Sequence, residues 1–593
     1  MNSRLKMAAA FALAACLAGT YSHASDATPP AKKHVRKKAA PKGPTVEDQI
    51  QSLRQDMQSQ INALKSDLAA KDAQLHQAQQ QAADAQAAAA KAQQAADQQE
   101  QAVTQNAAAV GTLQSTVTDL KANASSLAVT VSDENAKIKH QITNPDAIYF
   151  KGMTLSPTGS FIAAETVWRQ GAVGGDINTP FTAVPLQYSN NAQMSEFQGT
   201  GRQSRLALKI SGKTDRMTMT GYYEMDWLGT GITSNNNQSS SYVMRVRQLW
   251  GDVKMNTGGW DFSVGQGWSL ATETTQGETR GTEILPPTID PQYTTGFVWT
   301  RQYSARAVKS FSNKYFLGAA VENAQVLNPG GANLPTNLLI GSAGTGGGLY
   351  NPTANYSFNQ MPDFVAKVVA EPGWGHWELF GIGRAFRDRI YPTTGAPYND
   401  TQWGGGVGGG FRGPLLNKKL TIGLKGLWGQ GVGRYGSSTI SDITLRPNAT
   451  ISPLHGFSAL STVEINPNPR LMIYMNYGGD YIGRDYVVSN GKEVGYGGPS
   501  TDMSGCNVEV PATGSFSPST PAHCSGNNKD VQEVTAGYWF YIYKGAHGNL
   551  RQSIQWARFQ RDLWSGDGGT TNPGGGANGA DNMFWTALRY YIP

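Results

Sequence analysis

The chain has 593 residues, too many for one ordinary domain, with 39% hydrophobic residues, 16% charged residues and 69 Gly. A large soluble enzyme carries about a quarter charged residues, so this composition argues against one and suits β-strands joined by polar loops. The formal net charge of +6 is modest and much of it sits near the N-terminus, which argues against a nucleic-acid surface spread over the whole chain.

Residues 1–24 read as an export signal. Arg4 and Lys6 form a positive start, Met7 to Gly19 an apolar run, and Ser22-His23-Ala24 a small-x-small cleavage site. The run is shorter than the ~20 apolar residues of a membrane-spanning helix. Leu13-Ala14-Ala15-Cys16 offers an alternative, a lipoprotein box in which Cys16 is lipidated. Residues 25–45 then form a Pro-rich basic arm carrying Lys32, Lys33, Arg36, Lys37, Lys38 and Lys42. Such a run cannot bury apolar surface and is expected to be disordered. Two roles fit it: a solvated tether, or a contact to an anionic envelope polymer such as peptidoglycan.

Residues 46–142 turn to Ala, Gln and charged residues. Ile50, Leu53 and Met57 open a 3-4 spacing, which resumes at Ile61, Leu64 and Leu68. Val103, Val110, Leu113, Val117, Leu120, Leu127, Val131 and Ile138 hold later heptad positions. An apolar repeat near 3.5 residues predicts a long, self-associating coiled coil, about 140 Å if continuous at 1.5 Å per residue. Asn144-Pro145 ends it, because Pro cannot continue the helical ladder.

From residue 146 to 593 the period changes to two. Leu206, Leu208 and Ile210 alternate with Arg205 and Lys209; Leu420, Ile422 and Leu424 with Thr421, Gly423 and Lys425; Leu471, Ile473 and Met475 with Met472, Tyr474 and Asn476. Val534–Tyr543 and Asn582–Ile592 carry aromatics near their ends, as an interfacial girdle would. Behind an export signal, this pattern predicts a transmembrane β-barrel in the bacterial outer membrane, its apolar face turned to lipid. At roughly 28 residues per strand and connection the segment provides about 16 antiparallel strands, with 18 the next candidate. The coiled coil would then lie in the periplasm. Cys506 and Cys524, the only cysteines left after signal removal, lie close together in a loop-like segment and predict a disulfide. No metal site or cofactor is expected, since neither a second Cys pair nor paired His residues lie nearby.

The segments Gly201-Arg202-Gln203-Ser204-Arg205-Leu206 and Gly265-Gln266-Gly267-Trp268-Ser269 resemble the early strands of the DcaP-like trimeric outer-membrane porins. A Pro-rich stretch at 284–291, then Arg301-Gln302 and Arg306, continue the likeness, which at motif level covers about residues 150–310. The domain order, signal, coiled coil and barrel, matches as well. The resemblance implies a 16-stranded barrel, a homotrimer in outer-membrane lipid, and uptake of small anionic solutes such as dicarboxylates. The chain departs from the usual aromatic ending of such barrels, since Tyr590-Tyr591-Ile592 is followed by Pro593.

Anion selectivity needs cations facing a water-filled lumen, and Arg suits it because its planar fork holds a carboxylate at two points. Arg202, Arg205, Arg245, Arg247, Arg301 and Arg306 are the candidate pore-lining residues. Arg245 and Arg247, two apart, share a strand face; Arg202 and Arg205, three apart, cannot unless one sits at a turn or bulge. Arg301 and Arg306 form a further candidate cluster. Glu224, Asp226 and Asp252 are available to neutralise them, and residues 271–296 are the candidate for a loop folded into the pore. An enzyme is not expected: His376, His455, His523 and His547 are scattered, and Gly404–Gly410 lacks the Lys-Ser/Thr of a phosphate loop. Two other functions compete with an anion porin. One is a tether between outer membrane and cell wall; the other is a phosphate-selective channel using Lys418, Lys419 and Lys425.

Overall fold

A computed structural model describes Met57, Ser59 and residues 148–593, apart from 179–180, 230–239, 241, 328, 342–358, 510–522 and 569–574. The predicted signal peptide, the basic arm and all of the coiled coil but Met57 and Ser59 lie outside the described residues.

The alternating segments become sixteen strands. β1 is Met153–Ser156 continued by Phe161–Arg169, and β2 is Glu196–Thr200 continued by Arg205–Lys213. They are followed by β3 (Met217–Gly229), β4 (Val243–Met255), β5 (Trp260–Trp268), β6 (Arg301–Phe311), β7 (Tyr315–Glu322) and β8 (Asp363–Ala370). The second half holds β9 (His376–Ile390), β10 (Tyr398–Leu415), β11 (Leu420–Gln430), β12 (His455–Asn468), β13 (Leu471–Ile482), β14 (Asn528–Gly545), β15 (Gly548–Leu563) and β16 (Asn578–Tyr591). Each strand pairs antiparallel with its sequence neighbour, and β16 returns to β1 from Met583↔Arg169 to Tyr591↔Phe161. The sheet is therefore closed and leaves no free edge, the condition for a sheet in lipid.

The period of two separates the faces as physical chemistry requires. On β16, Met583, Trp585 and Ala587 are buried toward the lumen, while Phe584 (47% exposed), Leu588 and Tyr590 face outward. On β13, Ile473, Met475 and Tyr477 face outward, and Tyr474, Asn476 and Asp480 inward. Leu206, Leu208 and Leu424 likewise face outward. An apolar belt of this extent would be unfavourable in water at about 25 cal/mol per Å², and it fits hydrocarbon. Aromatic rings gather near the belt's rims: Trp377 lies 4.3 Å from Phe411 and 5.2 Å from Trp374, and Phe457 lies 5.4 Å from Tyr481.

Two strands are interrupted where the sequence breaks the ladder. Pro157 has no N–H to donate, and the chain turns there with Ser160 N–H donating to the Pro157 carbonyl at 2.9 Å. In β2, Ser204 N–H and Oγ–H donate to the Gly201 carbonyl, which takes Arg202 out of the regular strand. The glycine run of β10 is strand rather than phosphate loop. A Cβ at Gly408 would clash with Phe380 Cζ, and one at Gly404 would lie 2.7 Å from Phe386 Cε2, so the glycines make room for rings of β9 against the wall.

Connections alternate in length. Short turns such as 214–216, 312–314, 469–470 and 546–547 close one end, and long loops such as 170–195, 269–300, 431–454 and 483–527 close the other. Cys506 and Cys524 are joined by a disulfide within the last of these. Parts of the long loops turn inward: Ile177, Phe181, Val184 and Ile289 pack against Val167, Trp539, Phe559 and Trp585 of the wall.

Candidate functional site

Loop 269–300 lies inside the barrel and is fastened by backbone-to-side-chain bonds. On one side, Leu270 N–H donates to Glu322 at 2.8 Å, Thr274 N–H to Glu378 at 2.8 Å and Gly277 N–H to Glu371 at 2.6 Å. It then crosses to the opposite wall. Trp539 Nε1–H donates to the Pro287 carbonyl at 2.8 Å, Ile289 N–H to Gln555 at 2.7 Å and Thr295 N–H to Glu533 at 2.7 Å. Loop 431–454 meets it from the long-loop end, with Trp299 N–H donating to the Tyr435 carbonyl and Ser437 Oγ–H to that of Phe297, both 2.9 Å. Loop 170–195 adds Asn178 Nδ2–H to Asp290 at 2.6 Å. Burial pushes the Asp290 carboxyl up to about 6 and that of Glu278 up to about 8, the latter against the pull of Lys367 and Arg306. Neither carboxylate oxygen of Glu278 has a hydrogen-bond partner among the described residues.

Beneath the first contact region, cations and carboxylates are closely matched. Glu378 receives Lys367 at 2.6 Å and Lys425 at 2.7 Å, and His376 sits between Glu371 and Glu378 at 2.9 Å from each. Arg412 bridges Glu273 at 2.6 Å and Glu464 at 2.7 Å. Arg384 is fully buried between Asp363 at 3.2 Å and Asp442 at 2.8 Å. These groups hold the loops to the wall.

The predicted arginines divide into two kinds. Arg202, at the interruption of β2, is neutralised by Asp176 at 2.6 Å and stacks on Tyr242. Arg245 and Arg247 share the lumenal face and the carboxylate Asp226, at 2.8 Å each; Arg247 also holds Glu224 at 2.6 Å and Gln292 of the inner loop at 3.1 Å. A register shift between Glu224 and Met225 brings Arg247 to this face. Arg306 does not join Arg301 in a cluster. It donates to the carbonyls of Trp268 and Glu278 and lies 3.5 Å from Glu283, which makes it a loop fastener. Asp252 faces Asp261, with Arg280 of the inner loop acting on it, rather than any of the predicted arginines.

Arg205 and Arg301 are the undercompensated pair. Arg205 reaches Glu224 only at 4.0 Å, and Arg301 has no carboxylate at ion-pair distance among the described residues. Its guanidinium lies instead over the rings of Trp268 and Trp299, at 5.4 and 6.0 Å. Both feel the charge of Glu224, as Arg247 does. Around Glu224 and Asp226, four guanidiniums (205, 245, 247, 301) face two carboxylates, an excess of two positive charges. Adding Arg589, Glu165 and Asp290 makes five against four, and the excess falls to one. Arg205 Nε, Arg247 Nη2 and Arg301 Nη1 are buried without acceptors among the described residues. A carboxylate is the group such donors suit.

No protein-family model matches the chain, and no curated protein matches it. Among solved structures, the outer-membrane channel DcaP of Acinetobacter baumannii is similar at TM-score 0.50 and 14% identity, covering 75% of this chain and 99% of that one. The barrel has the fold of the DcaP channel. The anion-selective porin from Comamonas acidovorans gives TM-score 0.35 at 11% identity, over 74% of this chain and 98% of its own. OmpT of Vibrio cholerae in its trimer form gives 0.35 at 10%, over 74% and 100%.

Within the DcaP-like barrel, several functional residues carried no signal in the sequence. Arg589 binds Glu165 at 2.6 Å across the closing seam, Arg551 stands beside it on the next strand, and Arg384 and Arg412 tie down loops. Arg589 and Arg412 depend on contacts between segments far apart in the chain, whereas Arg551 meets rings of the two flanking strands. The alternation of β15 and β16 does mark Arg551 and Arg589 as a lumenal pair once their register is known.

Proposed function

We propose that this protein is an outer-membrane channel for passive diffusion of small anionic solutes, dicarboxylates foremost, working as a homotrimer whose assembly is helped by a periplasmic coiled coil. The DcaP-like fold supports the channel, and the observation that carries the anion reading is the set of unpartnered guanidinium donors on Arg205, Arg247 and Arg301. A dicarboxylate entering from the long-loop end, the extracellular end in such barrels, meets the inner loop and then this cluster. There it exchanges part of its hydration for charge-assisted hydrogen bonds, while Glu224 and Asp226 keep the attraction shallow enough for release. Barrel lipid, neighbouring protomers and, through the basic arm, peptidoglycan complete the expected partners.

A phosphate-selective wall of lysines fits less well: Lys425 is neutralised by Glu378, and Lys418 and Lys419 stand in the turn 416–419. A second reading draws on the inward loops. A barrel closed by loops 170–195, 269–300 and 431–454 would serve mainly as the membrane anchor of a tether.

Liposome swelling with the purified full-length protein separates these readings. The channel predicts faster swelling in sodium succinate than in neutral erythritol; no swelling in either, from protein migrating as a folded trimer, would leave the tether. Cross-linking of the same sample is expected to stop at trimers.

A further inference from the structure

Arg551 is not part of the arginine cluster around Glu224 and Asp226. It lies on β15 near the turn 546–547, opposite Tyr541 on β14 and Arg589 on β16. Ser553, Gln555, Ala557 and Phe559 of the same strand are buried toward the lumen, so Arg551 shares the lumenal face. Its guanidinium carbon is 3.8 Å from the centre of the Tyr591 ring, 5.1 Å from that of Tyr541 and 5.6 Å from that of Trp539. No carboxylate lies at ion-pair distance among the described residues, and Nε is buried without an acceptor. Rings cover the faces of this cation and leave its N–H edges unused. An arginine anchoring the barrel in the headgroup region would instead point outward, as Arg558 does on the exposed face of the same strand.

The placement is continuous with that cluster. Arg205 and Arg589 each lie 5.1 Å from the Phe161 ring, Arg589 lies 5.0 Å from that of Trp539, and Arg551, the cross-strand partner of Arg589, lies 5.6 Å from the same Trp539 ring. Guanidiniums on β2, β16 and β15 thus alternate with aromatic rings down to the short-turn mouth. We propose that Arg551 is a second anion subsite, which takes a carboxylate through its N–H edges after the anion leaves Arg205 and passes it to the exit. This rests on the reading of the barrel as an anion channel.

The test is succinate block of chloride current through the full-length protein in planar bilayers, with succinate added to one side at a time. With Arg551→Gln, block from the short-turn side should weaken about tenfold, the loss of one charge-assisted contact. Block from the long-loop side, set by Arg205 and Arg301, should change less than about twofold. Arg558→Gln should alter neither. Arg551→Lys keeps the charge but loses the planar fork, and should weaken short-turn block about threefold; it also serves if the Gln variant fails to fold. Unchanged short-turn block in the folded variants would overturn the second subsite and leave the channel reading intact. A wild-type channel that succinate blocks from neither side would overturn both.

Discussion

The two sides of the lumen use the same residue types for different ends. Along β8–β12, Lys367, Lys425, Arg384 and Arg412 are each matched by carboxylates at 2.6–3.2 Å. Along β15, β16 and β1–β6 the pairing is mixed: Arg202, Arg245, Arg247 and Arg589 are matched at 2.6–2.8 Å. Arg205, Arg301 and Arg551 stand on or between rings, and among the described residues none of these three has a carboxylate closer than the 4.0 Å of Arg205 from Glu224. A matched cation in a dry wall fixes geometry, and its removal strands a buried charge. An unmatched one retains donors for a passing anion. Cation count alone therefore says little about selectivity; the position of the carboxylates decides it.

The largest effect should come from breaking a match. Arg384→Met leaves Asp363 and Asp442 buried together, and should cost about 3–5 kcal/mol in urea unfolding of the lipid-reconstituted barrel. A cost near zero would mean that this side is not held by its ion pairs. On the other side, the Arg205→Gln, Arg301→Gln double variant should fold normally yet lose anion preference about tenfold, read as reversal potential. Conversely, Glu224→Gln removes the nearest neutralising charge and should raise anion preference about threefold; a fall would show that Glu224 chiefly positions Arg247.

The smallest effect concerns pH. Glu278 is an ordinary 4.5 carboxyl raised to about 8 by burial, with Lys367, Arg306 and Glu378 facing it. A raised acid favours the docked loop most at low pH, so its contribution is full below about pH 4.5 and is lost as pH rises through 8. The protection factors of loop 269–300, with the intrinsic pH dependence of amide exchange divided out, should fall over that interval. Glu278→Gln should flatten the dependence, and an unchanged profile would assign it to another group.

Much of the barrel was legible because a sheet with one face in hydrocarbon must alternate, and Leu206 to Ile210 or Leu471 to Met475 do so without help from the rest of the chain. The strand number followed from segment length. The inward loop was legible from composition: few apolar residues, many Thr, Glu, Gly and Pro. Within the site, Arg245 and Arg247 were visible as an i, i+2 pair, and Arg205 as the polar partner of an apolar face. The sequence did not show which of them were neutralised. Arg589 finds Glu165 from the other end of the chain, and Arg306 finds loop carbonyls, so no local period reports either contact. Arg551 went unnoticed because its partners are three rings on the two neighbouring strands, β14 and β16. Glycines 404–410 lacked the Lys-Ser/Thr of a phosphate loop and read better as strand or turn where bulky neighbours approach; the rings of Phe380 and Phe386 are those neighbours.

If uncompensated guanidiniums set the sign of selectivity, the wild-type channel must prefer chloride to potassium. The reversal potential of the wild-type channel under a tenfold potassium chloride gradient tests this most directly. The potential should be displaced toward that of chloride and fall as Arg205 and Arg301 are neutralised. A potential displaced toward that of potassium would contradict that role of the guanidiniums.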